Sequence, residues 1–189
     1  MTKSPDVSVK YDIKVPVYVK IKHIETSNGE IILYNLKGDA FLKTSNGEIN
    51  IFEHNGNIDA TTSNGNIKVN GVKGFVKLNS SNGDIEAKKI EGIKEIKTSN
   101  GDIEVDIYEI KNSEAEISTS NGSITLYISK GINANLDVFT SNGKIEVKEI
   151  DITLIELSRN ILKGKIGNGG DLLKIKTLNG DVYFIKIEK

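Results

Sequence analysis

One six-residue phrase constrains this chain more than any other feature. Thr26-Ser27-Asn28-Gly29-Glu30-Ile31 recurs, lightly edited, at 44–49, 62–67, 80–85, 98–103, 119–124 and 140–145. A worn copy, Thr177-Leu178-Asn179-Gly180-Asp181-Val182, closes the series. The Asn residues stand at 28, 46, 64, 82, 100, 121, 142 and 179, so the steps are 18, 18, 18, 18, 21, 21 and 37. Self-similarity at a period of about 20 residues marks a supersecondary unit that stacks on copies of itself.

Aligning the copies on the Ile after Asn-Gly resolves the unit into columns. Ile31, Ile49, Ile67, Ile85, Ile103, Ile124 and Ile145 form the first, and Leu33, Ile51, Val69, Ala87, Val105, Leu126 and Val147 the second. A further apolar column holds Leu36, His54, Val72 and Ile90, and a Gly turn follows at 38, 56, 74 and 92. A second strand then carries Leu42, Ala60, Leu78, Ile96, Ile117 and Val138. Apolar residues keep one parity, and Lys, Glu, Asp and Asn keep most of the other. That is the period of half-buried strands. Each unit is therefore two short strands and two turns. Asn-Gly suits the turn because both residues accept positive φ at little cost. A meander of hairpins need not hold one residue type in one column through seven copies. A solenoid must, because equivalent residues stack about 4.8 Å apart. The expected fold is all-β, a right-handed parallel β-solenoid of about eight coils, a rod of about 40 Å. Asn28, Asn46, Asn64, Asn82, Asn100, Asn121 and Asn142 should form an amide ladder. Thr26, Thr44, Thr62, Thr98, Thr119 and Thr140 should form a hydroxyl ladder beside it.

The ends differ from the middle. Residues 1–6 read as a tail. Strict alternation from Val7 to Ile21 predicts a strand that caps the first coil, and Pro16 places it at an edge or bend. The cap extends to residue 25, and the regular repeats run over 26–144. Coils near Tyr108 and Ser129 each gain three residues. The stretch 145–189 reads as irregular terminal coils, two of them within 145–181, with Ser158-Arg159-Asn160 as a degenerate Ser-Asn-Gly turn. No linker or second domain is evident. The last strand, through Val182, Phe184 and Ile187, looks like an open apolar end.

The alternation through Tyr11-Asp12-Ile13-Lys14-Val15-Pro16, followed by the repeated Thr-Ser-Asn-Gly-acid-Ile phrase, resembles a bacterial and archaeal family of unknown function that carries the label adhesin. The resemblance covers about residues 7–187. It implies an Asn- and Gly-rich right-handed parallel β-solenoid, often outside the membrane, with no agreed catalytic residues.

The search for chemistry returns little. Net charge is −1, with no Cys and a single Arg, Arg159, so bulk electrostatics steer the chain toward neither nucleic acid nor anionic lipid. No segment has the length and apolarity of a membrane span, and the start carries no signal sequence, which as written places the chain in the cytosol. Lys and Glu richness fits a thermophile and equally many mesophiles. His23 and His54 stand far apart. His54 sits in an apolar column and is expected to be bonded to backbone, and His23 to be a surface residue. The post-Gly residues Glu30, Glu48, Asp84, Asp102 and Asp181 could line a calcium edge, but Asn66, Ser123 and Lys144 interrupt the column. No metal and no cofactor are expected. Glu86, Lys88, Glu104, Asp106, Glu146 and Lys148 lie on an outer face, where a carboxylate pair could cleave a glycoside. Ile32, Tyr34, Phe41 and Phe52 crowd outward parities in the first two coils as a candidate contact patch, and Phe75 and Ile93 share a later outward column.

The reading is a non-catalytic structural or adhesin-like module that presents flat β faces to a protein or glycan surface, or to its own copies. It involves no nucleic acid and no membrane insertion. The first alternative is an end-to-end polymerising scaffold, as in bactofilin-type solenoids. The second is a polysaccharide-active β-helix enzyme.

Overall fold

The computed structural model describes residues 12–16, 18–111 and 114–187. The strands in chain order are β1 (His23–Glu25), β2 (Ile31–Tyr34), β3 (Ala40–Lys43), β4 (Ile49–Asn55), β5 (Ile58–Thr62), β6 (Ile67–Ser80), β7 (Ile85–Lys97) and β8 (Ile103–Ile107). They continue with β9 (Glu114–Ser118), β10 (Ile124–Ile128), β11 (Ala134–Asn142), β12 (Ile145–Lys148), β13 (Ile152–Leu157), β14 (Ile161–Ile166), β15 (Leu172–Asn179) and β16 (Val182–Lys186). No helix occurs among the described residues.

The strands stack in two rows, giving an all-β, solenoid-like fold. The first row runs β2, β4, β6, β7, β8, β10, β16, β12, all parallel. The second runs β1, β3, β5, β6, β7, β9, β15, β11 in parallel, then β14 and β13 antiparallel. β6 and β7 are long enough to turn a corner, so each serves both rows. Register follows the repeat: Ile31 pairs with Ile49, Ile49 with Ile67, Ile67 with Ile85, and Ile85 with Ile103. Alternate side chains point between the rows and form one continuous apolar core from Ile31 to Phe184.

Three expectations about the ends give way. Residues 7–11 and 17 of the expected cap lie outside the described residues, as does the tail at 1–6. Over 12–16 and 18–22 the chain is not a strand. It makes a turn in which Val19 N–H donates to Pro16 C=O, and strand pairing starts only at His23.

The stretch 145–181 does not stack as two further coils. After β12 the chain forms an antiparallel hairpin, β13–β14, closed at the sequence Ser158-Arg159-Asn160, where Ser158 N–H donates to Ile161 C=O. It then returns, and β15 and β16 insert between coils already laid down. β15 lies between β9 and β11, and β16 between β10 and β12. The last strand is therefore interior, not an open end, and Phe184 is fully buried. The 37-residue step from Asn142 to Asn179 is a detour through the hairpin and back by one coil.

Candidate functional site

The Asn-Gly corner is the most ordered polar feature of the molecule. Asn46 Nδ2 donates to Asn28 Oδ1 at 2.7 Å, Asn64 to Asn46 at 2.8 Å, Asn82 to Asn64 at 2.9 Å, Asn100 to Asn82 at 2.8 Å and Asn121 to Asn100 at 2.8 Å. The ladder then follows the stack, not the sequence: Asn179 donates to Asn121, and Asn142 to Asn179, both at 2.8 Å. The worn final copy is a full rung.

The hydroxyls beside it do not bond to one another. Each donates to the carbonyl of the turn glycine in the coil before. Thr44 reaches Gly29, Thr62 Gly47, Ser80 Gly65, Thr98 Gly83, Thr119 Gly101, Thr177 Gly122 and Thr140 Gly180, at 2.8 to 3.0 Å. Thr26, in the first copy, has no such turn glycine before it among the described residues. This contact also explains the glycine. A Cβ on Gly65 would stand 2.0 Å from Gly47 O, and one on Gly180 2.0 Å from Gly122 O. The turn needs Gly because stacked turns approach through that atom. No Asn of the ladder has positive φ, so the expected conformational reason for Asn-Gly does not apply at Asn.

Left-handed backbone occurs at the other corner instead, four residues after the first-column Ile: Asn35 (φ 51°), Glu53 (φ 50°), Gly71 (φ 82°), Lys89 (φ 50°) and Glu149 (φ 58°). Only one of the five is Gly, so residue type did not disclose this column.

The post-Gly column has a structural use that a calcium reading passes over. Asp84 N–H donates to Asn66 Oδ1, Asp102 N–H to Asp84 Oδ1, Ser123 N–H to Asp102 Oδ1, Asp181 N–H to Ser123 Oγ and Lys144 N–H to Asp181 Oδ1. Each side-chain oxygen caps the amide of the next coil. Asn and Ser serve as well as Asp, which is why they interrupt the carboxylates. Lys144 cannot accept, but β12 is the last strand of its row, so no further coil needs an acceptor there. Among the described residues no group of three or more His, Cys, Asp or Glu converges as a metal site would.

The aromatic patch splits. Ile32 and Tyr34 are exposed on β2, with Phe52 beside Tyr34 in the next strand. Phe41 lies on the opposite row, half-buried, its ring 5.0 Å from that of His23. Ile93 is buried. A register shift between Val72 and Phe75, undone just after Val76, sets Ile93 against Val76, in the core, and Phe75 lies over Gly92. Phe41 and Phe75 line a shallow groove on the second row with Lys20, Lys22, Lys77 and Lys94.

The first row carries the acid–base cluster. Lys88 Nζ bridges Glu86 and Glu104, the latter at 3.1 Å, and these two bonds hold its ammonium far above the usual lysine range. Asp106 lies in a groove with Glu104, Lys88, Tyr127, Lys148 and Glu149, and burial raises its carboxyl above the ordinary value. Glu146 lies on β12 and bonds Lys144. His54 is buried. Its Nε2 donates to Gly38 C=O at 2.8 Å, its Nδ1 lacks a hydrogen-bond partner, and burial lowers its pKa. His23 is exposed, 3.2 Å from Glu25.

The Toastrack DUF4097 family model matches residues 55–184. The chain belongs to this family, whose function is unknown. No curated protein and no solved structure matches it. The matched span in this Toastrack chain starts in β4 and ends in β16. It includes the hairpin and the inserted coil as well as most of the Asn rungs. No helix among the described residues is long and apolar enough to cross a membrane.

Proposed function

We propose that this chain is a rigid, non-catalytic scaffold module, adhesin-like in use, that presents its flat outer β faces to a protein or glycan surface. In this reading it is a right-handed solenoid of about eight coils. One observation carries the proposal. The polar residues repeated most faithfully are consumed by coil-to-coil bonds, in an Asn ladder that stays unbroken even through the inserted coil. A repeated motif used up in stacking supports rigidity, and leaves the outer rows as the surface available to a partner. The test is binding to immobilised acidic and neutral glycans and peptides, with the full chain and with Lys20→Glu/Lys22→Glu/Lys94→Glu. Binding lost in the variant at unchanged melting temperature supports the reading. Binding to none of them counts against it.

A second reading, a polysaccharide-active enzyme, is favoured by the Asp106 groove. A carboxyl raised by burial beside a second carboxyl bonded to Lys88 is an asymmetry of environment that acid–base catalysis requires. Glycan cleavage abolished by Asp106→Asn would establish it and overturn the scaffold reading.

A further inference from the structure

The two rows of strands do not end together. Among the described residues the first row stops at β12, whose outer edge is unpaired, while the second continues past β11 through β14 to β13, whose outer edge is likewise unpaired. In an antiparallel pair, residues directly opposite share one face of the sheet. Val138 lies opposite Leu162, which lies opposite Leu157. Leu136 lies opposite Gly164, which lies opposite Leu154. Val138, Leu136 and Leu162 are core residues. Leu154 and Leu157 therefore occupy core columns, yet they are 50% and 62% exposed, and Ile155, at the register shift between them, is 69% exposed. Glu156 keeps to the outer face, where it pairs with Lys163 at 3.0 Å. The outer strand of the overhanging hairpin thus carries core positions that no described residue covers.

We infer that this end is closed by the same end of a second copy, in a two-fold, tail-to-tail dimer. The covering surface must be apolar and step-shaped, and the chain's own end has that shape. The charges point the same way. Asp151 and Arg159 flank β13 at opposite ends, and neither has an ion-pair partner among the described residues. When two β13 strands lie antiparallel across a two-fold axis, Asp151 of each meets Arg159 of the other, twice. Like-with-like contact of one patch closes the assembly at two copies. A head-to-tail filament needs both rows to template parallel strands, and the antiparallel hairpin interrupts one of them. This inference concerns the end of the stack and stands apart from the reading of the outer faces.

The test is the mass of the full chain in solution by light scattering and sedimentation across about a hundredfold concentration range, wide enough to span a tenfold shift in Kd on either side. The expected result is a species of twice the 20.7 kDa chain mass. Leu154→Lys/Leu157→Lys should yield monomer with an unchanged circular dichroism spectrum, because both residues are solvent-exposed in the single chain. Arg159→Asp should raise the dimer Kd by about threefold to tenfold, and adding Asp151→Arg should restore it. That rescue requires the two charges to meet across the interface. A monomer throughout, a mass that grows without limit, or a dimer indifferent to Leu154 and Leu157 would each overturn the inference.

Discussion

The stack has two halves built from one phrase. From β2 to β8, neighbours in sequence are neighbours in space, and every 18-residue step is one rung. Beyond β10, spatial order departs from chain order: Asn121 is followed by Asn179 and only then by Asn142. Both halves use the same amide ladder, the same Thr-to-Gly bond and the same side-chain cap on the next amide. The corner chemistry thus specifies what a coil rests on, not which coil. Any segment with the phrase can fill the place, and the hairpin determines which one does.

The sharpest way to break this equivalence is at the turn glycines. Gly65→Ala and Gly180→Ala both push a Cβ onto a backbone carbonyl of the coil before, 2.0 Å away. Each should cost more than about 4 kcal/mol, at the extreme of single substitutions. Gly29→Ala, in the first copy, meets only the side chain of Thr26, at 3.1 Å. It should cost about 1 kcal/mol or less. Denaturant unfolding of the three variants decides the matter. A mild Gly180→Ala would mean that the C-terminal coil is not inserted.

Next in size is the comparison of the inserted strand with the strand it displaces to the end of the row. Phe184 is fully buried between β10 and β12, and truncation to Ala should cost about 3–5 kcal/mol. Val147, later in the stack though earlier in the chain, is only half-buried. Val147→Ala should cost about 1 kcal/mol. A reversed ranking in the same unfolding measurement would restore the sequential order that the spacing suggested.

These contrasts show how much was legible in the sequence. Parity and column identity disclosed the strands, the core residues and the Asn ladder, because stacking forces chemical likeness upon residues in register. The insertion was not legible. A 37-residue step has the length of two coils, and Ile152, Leu154 and Leu157 with Ser158-Arg159-Asn160 imitate a worn repeat while forming a hairpin. The left-handed corner was hidden because Asn35, Glu53 and Lys89 are ordinary residues in a conformation usually left to Gly. At the outer faces, residue type alone did not separate Phe41 from Tyr34. They lie on different rows, and only the fold assigns them.

A smaller difference is expected along the ladder itself. Asn82 donates to Asn64 and accepts from Asn100, so Asn82→Ala removes two ladder bonds, along with a longer one to Ser63 C=O, and should cost about 1–3 kcal/mol. Asn142 ends the ladder and makes one such bond, to Asn179. Asn142→Ala should cost about 0.5–1 kcal/mol. Equal, negligible changes in melting temperature would reduce the amides to turn formers in both halves.

The smallest effect tests the one polar residue in an apolar column of the regular half. Burial holds the His54 pKa below its ordinary 6.5, against the opposing pull of the Gly38 carbonyl and Asp39. The unfolded chain therefore takes up a proton at a pH where the folded chain still refuses it. The stability tied to neutral His54 is fully present above pH 6.5 and is lost as pH falls from there toward the depressed folded value. One proton sets the ceiling of that slope at about 1.4 kcal/mol per pH unit. His54→Leu, matching Leu36 in the same column, forfeits the bond to Gly38 but removes the titration. Its stability should be nearly flat between about pH 7.5 and 5.5, where the parent chain declines. The carboxyls held below their ordinary values, Glu25 and Asp181, contribute their own loss only at more acid pH. A parent chain whose stability does not change across that interval would mean that His54 takes its proton as readily folded as unfolded, and that the column tolerates charge where the stacked core should exclude it.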